Sequence, residues 1–324
     1  MRYTDTTFLK EKINQLCADA KPFFFVVNYE QTAGYLVENP MNQSEVFFKF
    51  PTVKHKPFEI SLPQKNDFSV IPNKFEDYKR KFDKLQNYLQ NKDISLANLT
   101  ERTRIETNLS LENIFALSQS AYQIYISNEF VCFSPERFVK IAEGQISTNP
   151  MKGTIDADIP NAEKIILEDE KEIAEHNATV QLLREELSAV AENVRTSRFR
   201  YIDKLHTNRK NLLQVSSEIV GDLPADYKQH IGTILFSLLP AGSISGKPKQ
   251  RAVEILREIE GLNRNYYCGI AGYFDGETLD SAVLIRFIEQ DSGDLYFRSG
   301  GGITINSICE KEYQEVLNKV YLPF

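Results

Sequence analysis

Lys152 lies in Asn149-Pro150-Met151-Lys152-Gly153-Thr154, a Pro/Gly-punctuated turn after a predicted strand. On residue type alone its amine is a nucleophile or one half of an ion pair. Two acidic pairs accompany it. Glu172 and Glu175 are three apart on one predicted helix and Glu312 and Glu315 on another, so each pair shares a helical face. Four carboxylates with no histidine at the matching offset make a hard, oxygen-only donor set suited to Mg²⁺ rather than zinc. In a chain with 26% charged residues such pairs are usually solvated faces, and the residues alone leave both readings open. Ala241-Gly242-Ser243-Ile244-Ser245-Gly246-Lys247-Pro248-Lys249 and Gly300-Gly301-Gly302 place small residues where backbone can approach a ligand and free N–H groups can bind an anion; the plain reading is two tight turns. Gly-Lys followed by Pro248 lacks the hydroxyl of a nucleotide-binding loop. Arg286 follows Val283-Leu284-Ile285 in a predicted strand and needs an anionic partner, either a bound carboxylate or an internal acid.

The elements that must carry these residues follow from periodicity. Phe8 to Ala20 has helical spacing and feeds the apolar run Phe23–Tyr29; β-like runs follow at 33–38, 45–50 and 56–61, and a helical stripe at 74–91. Strands are predicted over 96–106, over 122–133 with a break at Ser127-Asn128, and over 138–148, with a helix at 110–121. A long charged helix is expected over 168–194, and Pro248 opens another through Ile259. Strands over 266–274, 279–288 and 295–298 and a helix over 309–320 close the chain. Strands separated by long helices without strict βαβ alternation predict an α+β fold in which helices cover stacked antiparallel sheets. No repeat or flexible linker marks a boundary, so residues 1–324 read as one domain.

Composition excludes several classes. With 42% hydrophobic residues, including 21 Phe and 15 Tyr, the chain can bury a large core, and a net charge of −7 without a basic patch argues against nucleic acid as a partner. Cys17, Cys132, Cys268 and Cys309 are far apart, predicting four free thiols and neither a disulfide framework nor a zinc cluster. The most apolar run, Ile231 to Leu239, contains Gly, Thr and Ser and reads as core rather than a membrane span. MRYTDTTFLKEK lacks the apolar stretch of a secretory signal, and a cytoplasmic location is expected.

Taken together, Ser134-Pro135-Glu136-Arg137-Phe138, Asn149 to Thr154, Ala241 to Lys249 and Gly300-Gly301-Gly302 resemble the chorismate-utilising enzymes, and within them component I of the aminodeoxychorismate (para-aminobenzoate) synthases. The resemblance runs from about Leu96, through Asn98-Leu99-Thr100-Glu101-Arg102, to the end, so residues 96–324 would be the catalytic core segment and 1–95 a shortened N-terminal part without a recognisable tryptophan-binding motif. It implies two large, mainly antiparallel sheets stacked between helical layers.

It also implies roles. Lys171-Glu172-Ile173-Ala174-Glu175-His176 and Glu310 to Glu315 look like the family's metal-binding segments, with Glu175 and Glu315 as direct Mg²⁺ ligands and Glu172 and Glu312 holding coordinated water. Ser243, Tyr267, Arg286 and the glycines Gly300, Gly301 and Gly302 would receive the substrate carboxylates. Glu136 would protonate the leaving hydroxyl of chorismate, which requires burial to keep it protonated; its alternative is an ion pair with Arg137. Lys152 matches a lysine of the aminodeoxychorismate synthases where anthranilate synthases carry alanine, and would attack the ring covalently before ammonia from a separate glutamine amidotransferase replaces it. Sister activities, anthranilate or isochorismate/salicylate synthesis, and a non-catalytic amidotransferase-binding role are the alternatives. Two departures stand out. Gln214 occupies the place of a histidine near the reacting ring and cannot shuttle a proton, and Arg184-Glu185-Glu186-Leu187 replaces the usual Arg-Asn-Asp-Leu.

Overall fold

A computed structural model describes residues 2–55, 60–63, 65–206 and 211–324. Its strands form two sheets, and every strand pairing among the described residues is antiparallel. The first runs in the order Arg2–Tyr3, Gly34–Glu38, Phe23–Val27, Ile270–Phe274, Leu279–Val283, Arg137–Ala142, Gln145–Thr148, Asn211–Asp222, Met151–Asp156, with Glu192–His206 also on Asn211–Asp222. The second runs Gly246–Lys247, Leu96–Thr107, Asp294–Ile303, Phe287–Asp291, Phe130–Cys132, Gln123–Ile126, Val46–Phe50, Val53–His55, with Phe68–Ile71 on Leu96–Thr107. The α+β expectation with stacked sheets holds.

Aromatic side chains join the layers. Phe23–Val27 is buried at every position, as a strand covered on both faces must be. Its Phe24 ring stacks on Phe48 of the second sheet with centroids 4.7 Å apart, and Phe48 meets Tyr273 at 5.5 Å. These rings belong to the main core, to which the helices Thr6–Ala18 and Ile231–Leu238 also contribute. A second core lies where the helices Phe75–Gln90, Lys249–Glu260 and Cys309–Asn318 cover Leu96–Thr107, and a third lies under the helix Leu111–Leu117 and the chain end. The four cysteines are free and buried, and no described helix is long and apolar enough to cross a membrane.

Some boundaries differ from expectation. The helix predicted over 168–194 is Glu170–Leu187, capped by the Asp169 side chain, which accepts from the Glu172 N–H at 2.9 Å, and a short helix that was not expected, Ala162–Glu168, precedes it. The C-terminal end of the predicted range is instead strand from Glu192. Val190 continues the helical spacing, yet it packs on the main core from beyond the helix, so burial rather than helicity explains its apolar type. The hairpin of Glu192–His206 with Asn211–Asp222 went unrecognised because its arginines and serines interrupt the apolar alternation. The helix expected to reach residue 121 stops at Leu117, and the strand expected from Tyr266 starts at Ile270 after a turn in which Gly269 N–H donates to Tyr266 O. Most of the run expected at 56–61 lies outside the described residues.

Candidate active site

Lys152 is not in a turn but in the strand Met151–Asp156. Met151 pairs with Ser216 and Thr154 with Gln214, and the register shift between them makes Lys152 and Gly153 a bulge. Gly153 has φ +82°, and a Cβ there would stand 3.1 Å from Glu172 Oε2, so the bulge presses on the helix carrying the first acidic pair. The positive charge of Lys152 acts on Glu172, His176, Glu315 and Lys319. Among the described residues Lys152 donates no hydrogen bond and joins no ion pair.

The acidic pairs sit on Glu170–Leu187 and Cys309–Asn318. Gly301 lies beneath the second pair: a Cβ on it would meet Glu312 Oε2 at 3.5 Å and Glu315 Oε1 at 3.7 Å. Burial, reinforced by Glu175, raises the Glu172 carboxyl above its usual range, and burial and Glu315 do the same to Glu312. Burial also pushes Glu315 upward, but Lys319, with Lys171 and Lys152, outweighs it and holds that carboxyl below the usual range. Lys171 Nζ stands 3.5 Å from Glu175 Oε1 and its charge reaches Glu172 and Glu312, so it links the two helices electrostatically. Lys319 Nζ is 2.7 Å from Glu315 Oε1.

No three acidic, histidine or cysteine side chains among the described residues stand close enough to hold a metal ion. The donor set itself fits a hard dication: it is oxygen-only, and two of its members are raised by burial and like charge, a cost that a cation would relieve. In this structure Lys171 and Lys319 are the cations that answer it.

Glu136 lies near the C-terminal part of the helix that carries the first acidic pair. Ser243 Oγ donates to Glu136 Oε1 at 2.5 Å, and the Glu136 N–H donates to Ser134 Oγ at 3.1 Å. The ion pair with Arg137 is not made. Arg137 Nε donates instead to Tyr122 Oη at 3.0 Å and Asp280 Oδ1 at 3.2 Å, and its Nη1 to Asn149 Oδ1 at 2.8 Å. Glu136, Asn149, Glu186 and Ser243 line a cavity of ≈ 20 Å³, room for about one water.

The remaining expected binding residues divide. Arg286 is outside the strands, at φ +56° between Leu279–Val283 and Phe287–Asp291. Its Nε donates to Tyr321 Oη at 3.2 Å, and no carboxylate pairs with it among the described residues, so no internal acid meets the need that its apolar neighbours create. Gly300, Gly301 and Gly302 are not a loop but part of the strand Asp294–Ile303, paired with Thr100, Leu99 and Asn98, and Gly300 O accepts from Lys319 Nζ at 2.7 Å. Gln214 Nε2 reaches Thr154 Oγ1 at 3.5 Å, across the strand pair from the Lys152 bulge. Tyr267 is buried against Phe287, its phenol pushed far up by burial, and it lies within electrostatic reach of Arg286, whose charge opposes that rise.

Sequence reasoning missed Lys171, Lys319 and the buried His176, whose Nε2 is 2.7 Å from Ser217 Oγ. The lysines had a signal, each standing four residues from an expected metal ligand, Lys171 before Glu175 and Lys319 after Glu315.

The family model of the chorismate binding enzymes matches residues 11–323. This chain belongs to the chorismate-binding enzyme family. The match begins well before Leu96, where the recognisable motifs start. An uncharacterised PabA-like protein of Pasteurella multocida strain Pm70 is 46% identical over 97% of this chain and 97% of its own length. The aminodeoxychorismate synthase component 1 of Klebsiella aerogenes is 32% identical over 76% of this chain but only 56% of its own length, and the anthranilate synthase component 1 of Acetivibrio thermocellus is 33% identical over 79% and 54%. This chorismate-binding enzyme thus spans about half the length of either synthase. Among solved structures, the menaquinone-specific isochorismate synthase of Escherichia coli superposes with a TM-score of 0.75 over 98% of this chain and 82% of that chain at 16% identity, a likeness of fold.

Proposed function

We propose that this chorismate-binding enzyme is an aminodeoxychorismate synthase component I, converting chorismate and ammonia to 4-amino-4-deoxychorismate on the route to para-aminobenzoate and folate. The carrying observation is Lys152: a half-buried amine, set in a bulge against the acidic helix and free of hydrogen bonds and ion pairs among the described residues. Its identity as lysine supports amination over the sister syntheses. The neutral amine adds to ring carbon 2, the double bond shifts, and the C4–O bond breaks. Glu136 gives its proton to the departing hydroxyl, which leaves as water. Ammonia then attacks carbon 4, the double bond returns, the C–N bond to Lys152 breaks to restore the free amine, and the new C4 ammonium returns a proton to Glu136.

Glu175 and Glu315 would hold Mg²⁺ directly and Glu172 and Glu312 through water. The ion supplies the charge that grips the ring carboxylate. Arg286 and the backbone of Gly300 to Gly302 receive carboxylate oxygens, Ser243 orients Glu136, and Gln214, which cannot relay a proton, serves as a polar wall. The ammonia comes from a partner glutamine amidotransferase, a reading supported by the names of the relatives, and the setting is cytoplasmic.

The test is product analysis by mass with chorismate, Mg²⁺ and ammonium chloride, beside Lys152→Ala. Aminodeoxychorismate from the wild type, reduced at least a hundredfold in the variant, is expected. Anthranilate or isochorismate would move the enzyme to a sister activity, and no turnover would make it a binding partner of the amidotransferase.

A further inference from the structure

Glu186 stands on the same helix as Glu172 and Glu175 and has no part in the scheme above. Its side chain is only 11% exposed, and burial raises its carboxyl above the usual range, opposed by Lys249 and by the N–H of Gly242. Lys249 Nζ approaches Glu186 Oε1 to 2.6 Å as an ion pair, in a geometry that is not a hydrogen bond. A Cβ on Gly242 would fall 2.5 Å from Glu186 Oε1, so the carboxylate would have to shift to admit one. Lys249 Nζ also donates to Leu238 O at 2.8 Å. Glu186 therefore meets this stretch at Gly242 and at Lys249, and Lys249 reaches back to Leu238 at its start. Ser243, the residue after Gly242, is the donor to Glu136, and Glu136, Ser243, Gly242 and Glu186 line one small cavity. A buried carboxylate is a costly way to fill space, since an apolar side chain of similar volume would pack there without desolvation.

We propose that Glu186 is a positioning residue: by packing its carboxylate against Gly242 and pairing with the Lys249 ammonium it aims the Ser243 hydroxyl at Glu136 and fixes the orientation of the general acid. This rests on the reading of Glu136 as the proton donor. It couples the helix that carries the first acidic pair to the acid that shares its cavity.

The experiment is a double-mutant cycle with Glu186→Ala, Ser243→Ala and the pair, assayed with chorismate and ammonium. Glu186→Ala is expected to lower kcat ten- to a hundredfold with KM for chorismate within about threefold, and the pair to be no more than about threefold below the worse single variant, because both changes break one linkage. Multiplying effects, or a loss confined to KM, would overturn the proposal. Glu186→Gln keeps the volume and removes the charge that holds Lys249, so it serves if the alanine variant does not fold. A crystal structure of whichever variant folds gives a second readout, independent of turnover: Ser243 Oγ is expected beyond 3.5 Å from Glu136, and an unchanged separation refutes the positioning role. If the wild type turns over no chorismate, the proton-donor reading of Glu136 fails, while that separation still decides whether Glu186 aims Ser243.

Discussion

Lys319 Nζ lies 2.7 Å from Glu315 Oε1 and 2.7 Å from the carbonyl oxygen of Gly300, tying the last helix to the triple-glycine strand. Burial lowers the proton affinity of Lys319 while Glu315 restores part of it, and Lys319 in turn keeps Glu315 ionised. Lys319→Met removes that cation from beside Glu312 and Glu315. The metal-free protein should lose no more than about 1 kcal/mol of stability, because Glu315 is half-exposed and solvent screens the pair. Millimolar Mg²⁺ should recover part of the loss by replacing the cation. Thermal unfolding with and without Mg²⁺ measures both, and equal loss in the two conditions would separate Lys319 from the metal question.

Two glycines on either side of the site should respond in opposite ways. At Gly301 a methyl group would meet Glu312 and Glu315 at ordinary van der Waals distance, so Gly301→Ala should fold normally, whereas Gly301→Val should crowd the carboxylates and weaken Mg²⁺ binding about tenfold or more by calorimetry. At Gly153 the backbone is left-handed and the space is closed by Glu172, so Gly153→Ala should cost stability itself, about 1–2 kcal/mol by chemical denaturation. A destabilised Gly301→Ala would mean that the strand, not the carboxylates, fixes that glycine.

These contrasts mark what the sequence could carry. Residue type and helical spacing located Glu172, Glu175, Glu312 and Glu315, because helical geometry is local and a three-residue offset has one spatial meaning. The stacked-sheet architecture was likewise legible from runs such as Phe23–Val27. Partnership across the chain was not. Nothing near Glu136 in sequence says that its hydrogen-bond donor is Ser243, 107 residues on, or that Arg137 prefers Asp280 to its neighbour. The glycines Gly300 to Gly302 read as a loop because glycine weakens a strand, yet nine consecutive pairings with Leu96–Thr107 hold them in one. Tyr267 was named by motif alone, and motif does not report burial.

Arg264 provides a stability test away from the chemistry. It is 2% exposed, pairs with Glu260 at 2.7 Å, and donates to Ile244 O at 3.0 Å and Asn98 O at 2.6 Å. It therefore braces the segment next to Ser243 against the strand opposite Gly302. Glu260→Gln leaves this guanidinium buried without its counter-charge and should cost about 3–5 kcal/mol in denaturant unfolding. A loss below 1 kcal/mol would show that the two carbonyls suffice to hold the charge.

Arg286 should behave in the reverse manner. Its hydrogen-bond partner is the neutral Tyr321 hydroxyl at 3.2 Å, so removing its charge strands no carboxylate among the described residues. Arg286→Gln should leave the unfolding midpoint within about 0.5 kcal/mol of wild type, as for a side chain outside any buried network. Its effect should fall on the substrate. Losing a charge-assisted, bidentate contact to a carboxylate is worth about 1.5–3 kcal/mol, a ten- to hundredfold rise in KM for chorismate. Arg286→Lys keeps the charge but not the fork, and should recover only part of that loss. Steady-state kinetics beside unfolding curves separates the cases. A large fall in stability with unchanged KM would place the arginine in the scaffold rather than on the substrate.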